Sequence, residues 1–404
     1  MGGALIQLVS YGAQDIFLTG NPSVTFFKVM YRRYTNFAIE SIQQPFNGGT
    51  PDFGNTVTAT IARNGDLVWK VYLVLDLPTL TGTGTQAWVQ NIGTVLIETV
   101  SVQIGGREID LHYGQWLYIW NELTQSAGME DTYNVMIGNT TTLTTEASSI
   151  AGQTLHIPLQ FWFNRNIGLA LPLIALQYHD VKIDIKFRPF SQCHVSSSGT
   201  VTTPSLQNAS IWVDYIFLDT DERRQFAQIA HEYLIEQLQF TGAESFSQTN
   251  VQQRLNFNHP VKMLVSVPQL ASNVQSVAAA GGLANRWTDF GDGSTPYAGN
   301  DHLVNMKLQL NGNDRFAVRP ASYFNLVQPY QHLSHGVPVG IYVYSFAVKP
   351  TDHQPSGSCN MSRIDNSTLH MTMASSAAFN QYTYVLSYNI LRIMSGMGGL
   401  AYSN

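Results

Sequence analysis

One pattern of strands and turns occurs twice in this chain, in the same order. The segment SVQIGGREI (101–109) is matched by KLQLNGNDR (307–315), and in each an alternating strand meets a tight turn rich in Gly or Asn. Four further pairs keep the same order: 56–78 with 250–268, 113–117 with 321–325, 156–163 with 340–348, and 179–187 with 362–373. Five ordered matches predict that one structural unit has been duplicated.

The repeated unit is predicted to be a β-sandwich. Alternation of apolar and polar residues with period two predicts eight strands in the first half of the chain. These are Phe37–Phe46, Thr56–Ala62, Leu67–Leu77, Leu96–Ile104, Arg107–Leu111, Leu155–Phe161, Ala175–Phe187 and Ala209–Leu218. One helix is predicted at 112–123, and Gly-, Ser- and Thr-rich stretches at 79–94, 136–154 and 191–207 are predicted to be surface loops. Eight strands joined by long loops fit a jelly roll, in which two sheets pack face to face.

The boundary between the two units is predicted near the middle of the chain. A strand ends at Leu218, Asp219 and Thr220 offer N-cap oxygens, and a short helix is predicted over 221–230 before a new strand begins at Glu232. The fold class is therefore all-β: two tandem eight-stranded jelly-roll sandwiches with short helices in the connections. The predicted domains are an N-terminal arm (1–26), a first jelly roll (27–219), a helical linker (220–231) and a second jelly roll (232–404).

Composition narrows the classes of function. Charged residues are 12% of the chain and the net charge is −6, which gives no basic footprint and argues against nucleic acid as the main ligand. Two cysteines cannot form a disulfide framework for 404 residues. The first residues lack the basic and apolar regions of a signal peptide, and no apolar run is long enough to span a membrane. We therefore expect folding in a reducing compartment.

The short catalytic motifs that the sequence suggests are each incomplete. His231-Glu232 begins like a zinc-protease helix, but Ile235 stands where the second histidine is required. Ser395 lacks the preceding glycine of a nucleophile elbow, because Ile393 occupies that position. No Gly-Lys pair occurs, which excludes a phosphate-binding P-loop. We predict no catalytic, cofactor-binding or metal-binding residues, and no enzyme activity.

Four longer segments carry a resemblance to a known family. They are YGAQDIFLTGNPSVTFFKVMYRRYTNFAIESIQQ (11–44), GLALPLIALQYHDVKI (168–183), IWVDYIFLDTDERRQFAQIAHEYLIEQLQFTG (211–242) and NILRIMSGMGGLAY (389–402). In these blocks the chain resembles the major capsid proteins of large icosahedral nucleocytoplasmic double-stranded DNA viruses, most of all those of the phycodnavirus (chlorovirus-like) branch. The resemblance extends from Tyr11 to Tyr402 and fails to align in the loops 79–94, 129–154 and 268–302.

The resemblance implies a structural subunit of a virion capsid that is synthesised in the host cytoplasm. It implies a homotrimer whose six similar barrels form a nearly hexagonal capsomer and tile a shell with neighbouring capsomers. It further implies contacts with minor capsid proteins, an inner viral membrane nearby, and no direct contact with nucleic acid.

Glycosylation is the one modification that the sequence indicates. Sequons of the form Asn-X-Ser/Thr occur at Asn139, Asn208, Asn360 and Asn366. In a chain without a secretory signal such sequons usually arise by chance, whereas the resemblance implies glycosylated relatives. These four asparagines are the candidate sites.

Two alternatives remain open at this point. Tandem β-sandwiches also occur in carbohydrate-binding and glycoside-hydrolase proteins, which would present an exposed aromatic platform or a pair of carboxylates in a cleft. A minor or vertex-specific capsid paralogue would have the same barrels as the main shell protein.

Overall fold

The computed structural model describes residues 2–196, 199–274, 285–293 and 295–403. Residues up to Asn36 form one compact unit and residues from Phe37 onward form another. The first unit contains helices α1 (Gly3–Val9) and α2 (Ala13–Thr19). Helix α2 is closed at its N-terminus by the Asp15 carboxylate, which accepts a hydrogen bond of 2.8 Å from the backbone N–H of Gly12.

The second unit is built almost entirely of strands. In its first half the strands are β1 (Phe37–Gln44), β2 (Thr56–Thr60), β3 (Leu67–Leu77), β4 (Leu80–Trp88), β5 (Ile97–Ile104), β6 (Arg107–Tyr113), β7 (Ala147–Ile150), β8 (Gln153–Pro158), β9 (Leu171–Pro172), β10 (Val181–Phe187), β11 (His194–Ser196) and β12 (Gln207–Leu218).

The second half repeats this arrangement. Its strands are β13 (His231–Phe240), β14 (Glu244–Phe246), β15 (Asn250–Leu255), β16 (Pro260–Leu270), β17 (Leu303–Leu310), β18 (Asn313–Asp314), β19 (Arg319–Pro320), β20 (Tyr342–Ser345), β21 (Cys359–Asn360), β22 (Ser367–Met373), β23 (Phe379–Met394) and β24 (Met397–Leu400).

Helices are confined to the connections. They are α3 (Ile92–Leu96), α4 (Gly114–Thr124), α5 (Glu130–Met136), α6 (Thr141–Thr144), α7 (Trp162–Arg165), α8 (Thr220–Gln228) and α9 (Gln328–His332). Helix α9 follows a π-helical turn at Tyr323–Val327. Short 3₁₀ turns lie at Ala127–Met129, Ile167–Leu169, Leu173–Ala175, Phe190–Gln192, Ala271–Val274 and Met361–Arg363. None of the helices in the described ranges has the length and apolar character needed to cross a bilayer.

The two halves have the same strand order, which confirms the predicted duplication. In the first half one sheet has the order β1-β12-β3-β8 and the facing sheet the order β2-β10-β5-β6. In the second half the corresponding orders are β13-β23-β16-β20 and β15-β22-β17-β18. Each half is therefore an antiparallel sandwich of eight principal strands. We call them the first and second barrels.

Alternation along the strands builds the two cores. In β3 the side chains of Val71, Leu73 and Leu75 are buried and pack against Ile183 and Ile185 of the facing sheet. In the second barrel an equivalent cluster joins strands of both sheets and includes Leu264, Val385, Leu308, Leu369 and Met371.

Three stretches predicted to be loops contain strands. Strands β11, β4 and β7 form a separate three-stranded sheet from parts of 191–207, 79–94 and 136–154. In β4 the Gly residues of TGTGTQ suggested a loop, but the alternating Thr residues are β-branched and favour an extended backbone. Conversely, the predicted strand 175–187 begins only at Val181: Leu173–Ala175 is a 3₁₀ turn, and residues 176–180 form neither helix nor strand. Residues 197 and 198, within the predicted loop 191–207, lie outside the described residues.

Candidate functional site

The most extensive buried contact outside the two cores is the junction between the barrels. Helix α4 of the first barrel is predominantly apolar, and its residues Trp116, Ile119, Trp120 and Leu123 are spaced so that they share one face. That face packs on the outer side of the second-barrel sheet, where it meets Leu238, Met263, Val265, Val267, Ile341, Val343, Tyr384 and Leu386. The junction is thus a third hydrophobic core.

Polar contacts fix the orientation of α4. The hydroxyl of Tyr384 donates to Oε1 of Gln115 at 2.8 Å, and Nε2 of Gln115 donates to Oε1 of Gln269 at 3.1 Å. The rings of Trp116 and Tyr384 lie 5.3 Å apart, within the range of favourable aromatic pairs. Because these groups are directional, they hold the helix in one register on the sheet.

A cluster of three charges crosses the same junction. Arg165 of α7 donates from Nη1 to Oε2 of Glu236 on β13 at 2.8 Å, and Lys262 of β16 pairs with the other carboxylate oxygen of Glu236. The side chain of Lys262 is fully buried, and this burial lowers the pKa of its ammonium group to about 8 despite the neighbouring carboxylate. The guanidinium of Arg165 also lies 3.7 Å from the centre of the Trp120 ring.

A second buried pair consists of Asp110 and His112 on β6. Their side chains lie 2.9 Å apart (Oδ2 to Nε2), and both are 1% exposed. Oδ1 of Asp110 accepts a hydrogen bond from the backbone N–H of Leu238, which again links the two barrels. Although an imidazole beside a carboxylate is the arrangement of a general base, no substrate can reach side chains that are this deeply buried. Through the bond from Leu238 to Asp110, the pair links the two barrels.

The described residues give little support for a metal site or for a reactive cysteine. Within those ranges no group of three or more His, Cys, Asp or Glu side chains is arranged to hold a metal ion. Cys193 is buried, and burial raises the pKa of its thiol to about 12, which leaves it a poor nucleophile at neutral pH.

The four predicted glycosylation residues lie on separate segments. Asn139 is half-buried: its Nδ2 donates to Asn134 at 3.1 Å, and its Oδ1 accepts from the backbone N–H of Asn91 at 3.4 Å. Asn208 is exposed, but its Nδ2 donates to Oδ2 of Asp76 at 2.7 Å.

The other two predicted sites are exposed and bond through their oxygens. Oδ1 of Asn360 accepts from the backbone N–H of Ser362 at 3.1 Å, and Oδ1 of Asn366 accepts from the Thr368 hydroxyl at 3.4 Å.

The sequence did not indicate two surface features of the structure, a hollow on the first barrel and exposed apolar side chains on the second. The outer face of the sheet β1-β12-β3-β8 carries a hollow of about 520 Å³ lined by Ser41, Tyr72, Val74, Met136, His156 and Trp212. On the second barrel, Leu326 and Tyr330 are 63% and 90% exposed. The alternation in β3 would have indicated an outward row of Tyr72 and Val74, but it did not show that these side chains border a hollow.

Comparison with known proteins identifies the family. Residues 25–219 match the family described as the major capsid protein N-terminus, and residues 222–399 match the large eukaryotic DNA virus major capsid protein. A major capsid protein of Pyramimonas orientalis virus is 50% identical, with all of both chains covered.

Solved structures agree with this assignment. A chain in a quasi-atomic model of the PBCV-1 virus capsid is 40% identical and superposes with a TM-score of 0.79, covering 94% of this chain and all of that one. The Faustovirus major capsid protein superposes with a TM-score of 0.81 at 13% identity, covering 97% and 96%, and so supports the fold alone. These relatives favour a capsid subunit over a carbohydrate-active protein. The chain is a double jelly roll that belongs to the major capsid protein family of large eukaryotic DNA viruses, and it is a structural component of the virion capsid.

Proposed function

We propose that the chain forms homotrimeric, nearly hexagonal capsomers that tile an icosahedral shell. The observation that carries this proposal is the identical strand order of the two barrels. Three copies around an axis bring together six similar barrels, and a ring of six similar units can pack with neighbouring rings on a flat facet. The role of the chain is geometric, and no residue turns over a substrate.

The buried junction supports a rigid building block. Helix α4, the charge cluster around Glu236 and the Asp110 contact all tie one barrel to the other. Since a hydrophobic core and satisfied polar contacts both oppose sliding, the two barrels keep one relative orientation. A fixed angle between barrels is what repeated lateral packing over a facet requires.

Further partners follow from the resemblance and from the exposed surface. We propose contacts with minor capsid proteins, an inner viral membrane nearby, and synthesis in the host cytoplasm. In the N-terminal unit Phe26 and Phe27 are 93% and 98% exposed, and such aromatic side chains are common at protein interfaces. The net charge of −6 argues against direct binding to nucleic acid.

Light scattering coupled to size exclusion tests the capsomer. The chain has a mass of 44.8 kDa, and a single peak at three times that mass is expected for the purified protein. The trimer should persist on dilution and should form hexagonal arrays when concentrated on a grid. A monodisperse monomer at high concentration would overturn the proposal that the trimer is the stable unit.

A further inference from the structure

Asparagine followed by glycine is the dipeptide in which a side-chain amide is most readily lost without an enzyme. The backbone nitrogen of the glycine can reach the side-chain carbonyl carbon (Cγ) of the asparagine, because glycine has no side chain to block the approach. Three such pairs occur in the sequence: Asn47-Gly48, Asn64-Gly65 and Asn311-Gly312. The structure places them in three different environments.

At the first pair the glycine nitrogen is already hydrogen-bonded. The backbone N–H groups of Asn47 and Gly48 donate to the carbonyl oxygen of Thr58 at 2.8 and 3.3 Å. In return the backbone N–H of Thr58 donates to the carbonyl oxygen of Gly48 at 3.0 Å. The pair is therefore tied to β2 in both directions, and attack on Asn47 requires these bonds to open.

At the second pair the glycine is confined by its neighbours. A Cβ atom added to Gly65 would lie 2.8 Å from Cβ of the buried Tyr215, so the Gly65 backbone packs tightly on that residue. The next residue, Asp66, is buried and donates its backbone N–H to the carbonyl oxygen of Ile216 at 3.0 Å. These contacts restrict the backbone rotation that brings the Gly65 nitrogen to Cγ of Asn64.

The third pair is open around its glycine. Asn311 and Gly312 are the exposed turn residues between β17 and β18, and their φ angles of 49° and 79° are those of a two-residue hairpin turn. A Cβ atom added to Gly312 would meet no atom of the described residues within 4 Å beyond its chain neighbours. Its backbone N–H donates no hydrogen bond to the described part of the chain, so the nitrogen is accessible for reaction.

The side chain of Asn311 is held in a way that favours attack on its carbonyl carbon. Oδ1 of Asn311 accepts a hydrogen bond of 3.0 Å from the backbone N–H of Asn366, and the backbone N–H of Asn311 donates to the carbonyl oxygen of Asn366 at 2.7 Å. When a nucleophile adds to Cγ, negative charge develops on Oδ1, and a donor that is already in place stabilises that charge. The equivalent turn of the first barrel is Gly105-Gly106, which has no such side chain.

We propose that Asn311 is a site of spontaneous deamidation, and that in the folded protein it reacts faster than Asn47 and Asn64. The nitrogen of Gly312 bonds to Cγ of Asn311, its proton passes to solvent, and the bond from Cγ to Nδ2 breaks so that ammonia leaves. Water then opens the succinimide ring at either carbonyl, which gives aspartate or isoaspartate at position 311. Either product adds a negative charge to the hairpin that carries Asp314, so the capsid gains charge with age at this turn of every subunit.

Peptide mapping of the folded protein measures the three rates together. The protein is incubated at mildly alkaline pH, and samples taken over time are digested with trypsin, which puts the three asparagines on separate peptides, 34–63, 64–70 and 308–315. Deamidation raises the peptide mass by the difference between a hydroxyl and an amino group, and fragment spectra assign the changed residue. We expect the rate at Asn311 to exceed the other two by about tenfold, since only this site combines an accessible nitrogen with a donor on Oδ1.

The same protein unfolded in guanidinium chloride is the control, because unfolding removes the contacts that distinguish the sites and the three rates should then converge. Asn311→Gly copies the Gly105-Gly106 turn of the first barrel, so it should fold, as circular dichroism will show, and should lose the reaction at this turn. Asn311→Asp is the standard for the more acidic product on native isoelectric focusing. A rate at Asn311 in the folded protein that is no higher than those at Asn47 and Asn64 would overturn the proposal.

Discussion

Trp116 of the first barrel and Tyr384 of the second lie with their ring centres 5.3 Å apart, and both side chains are almost completely buried. This pair stands at the centre of the junction that makes one rigid body of two barrels. In the first barrel Trp212 of β12 pairs with Tyr72 of β3 as Tyr384 of β23 pairs with Val265 of β16, and Trp212 is half-buried beside the hollow of about 520 Å³. The junction therefore accounts for the fixed orientation of the two barrels within one subunit.

Removing the Trp116 ring should weaken the junction more than any surface change. Truncation of a fully buried tryptophan to alanine costs about 3–5 kcal/mol, because apolar contacts are lost and a cavity remains. We expect Trp116→Ala to lower the free energy of unfolding by that amount in urea denaturation followed by circular dichroism. Tyr178→Ala, at an exposed aromatic residue, should cost less than about 1 kcal/mol. Equal effects of the two substitutions would contradict the role given to the junction.

Substitution of Glu236 should lower the free energy of unfolding far more than substitution of Glu232, although both residues lie on β13 and both pair with an arginine. Glu236→Gln leaves Lys262 and Arg165 buried without a counter-charge, and breaking a buried pair costs about 3–5 kcal/mol. The pair between Glu232 and Arg392 is exposed, so Glu232→Gln should cost between about 0 and 1 kcal/mol.

The double variant Glu236→Gln with Lys262→Met should regain part of the lost free energy of unfolding, since it also removes one of the charges that Glu236→Gln leaves unpaired. Thermal midpoints of the four proteins measure this pattern. A loss in Glu236→Gln no larger than in Glu232→Gln would show that the cluster is unimportant for stability.

Because of Lys262, the free energy of unfolding of the wild-type protein should change with pH in the alkaline range. Burial lowers the pKa of its ammonium group from 10.5 to about 8 in the folded chain. Between these values the unfolded chain binds more protons than the folded chain, so the contribution of Lys262 to stability rises with pH. Below about pH 8 the lysine is protonated in both states, and its contribution to stability is then constant with pH.

Comparison with Lys262→Met isolates this effect. We expect the free energy of unfolding of wild type, measured relative to that of Lys262→Met, to rise as the pH increases from 7 towards 10. Urea denaturation of both proteins across this range gives the difference directly. A difference that is constant with pH would mean that Lys262 titrates at its ordinary value.

The four candidate glycosylation sites can be ranked by the hydrogen bonds that each asparagine side-chain amide makes. Glycan attaches to Nδ2, and in Asn139 and Asn208 this atom already donates to another side chain. Asn360 and Asn366 are exposed and bond through Oδ1. Glycopeptide mapping of protein from virions should therefore find glycan at Asn360 or Asn366 and none at Asn139, with bacterially expressed protein as the unmodified control. An intact mass equal to that of the bare sequence would end the proposal.

The strands of each barrel could be predicted because alternation is a local property of the chain. Leu67–Leu77 shows a buried residue at every second position from Val71 to Leu77, and its bounds match the prediction. The TGTGTQ stretch is predicted to be a loop because it is rich in Gly and Thr, whereas pairing of β4 with β7 and β11 supplies hydrogen bonds that no local pattern reveals. The family could also be recognised, since its long blocks of similarity lie in the sequence itself.

The sequence by itself determined the two repeated sandwiches, their order and the family to which the chain belongs. Only the tertiary structure decided which outer faces are covered. The strands around Val265 and Tyr72 have equivalent places in the two barrels, but Val265 is buried under α4 whereas Tyr72 is half-buried beside a hollow. The physical reason is that burial of an outward side chain depends on elements distant in sequence: Gln115 meets Tyr384 across 269 positions, and Arg165 meets Glu236 across 71.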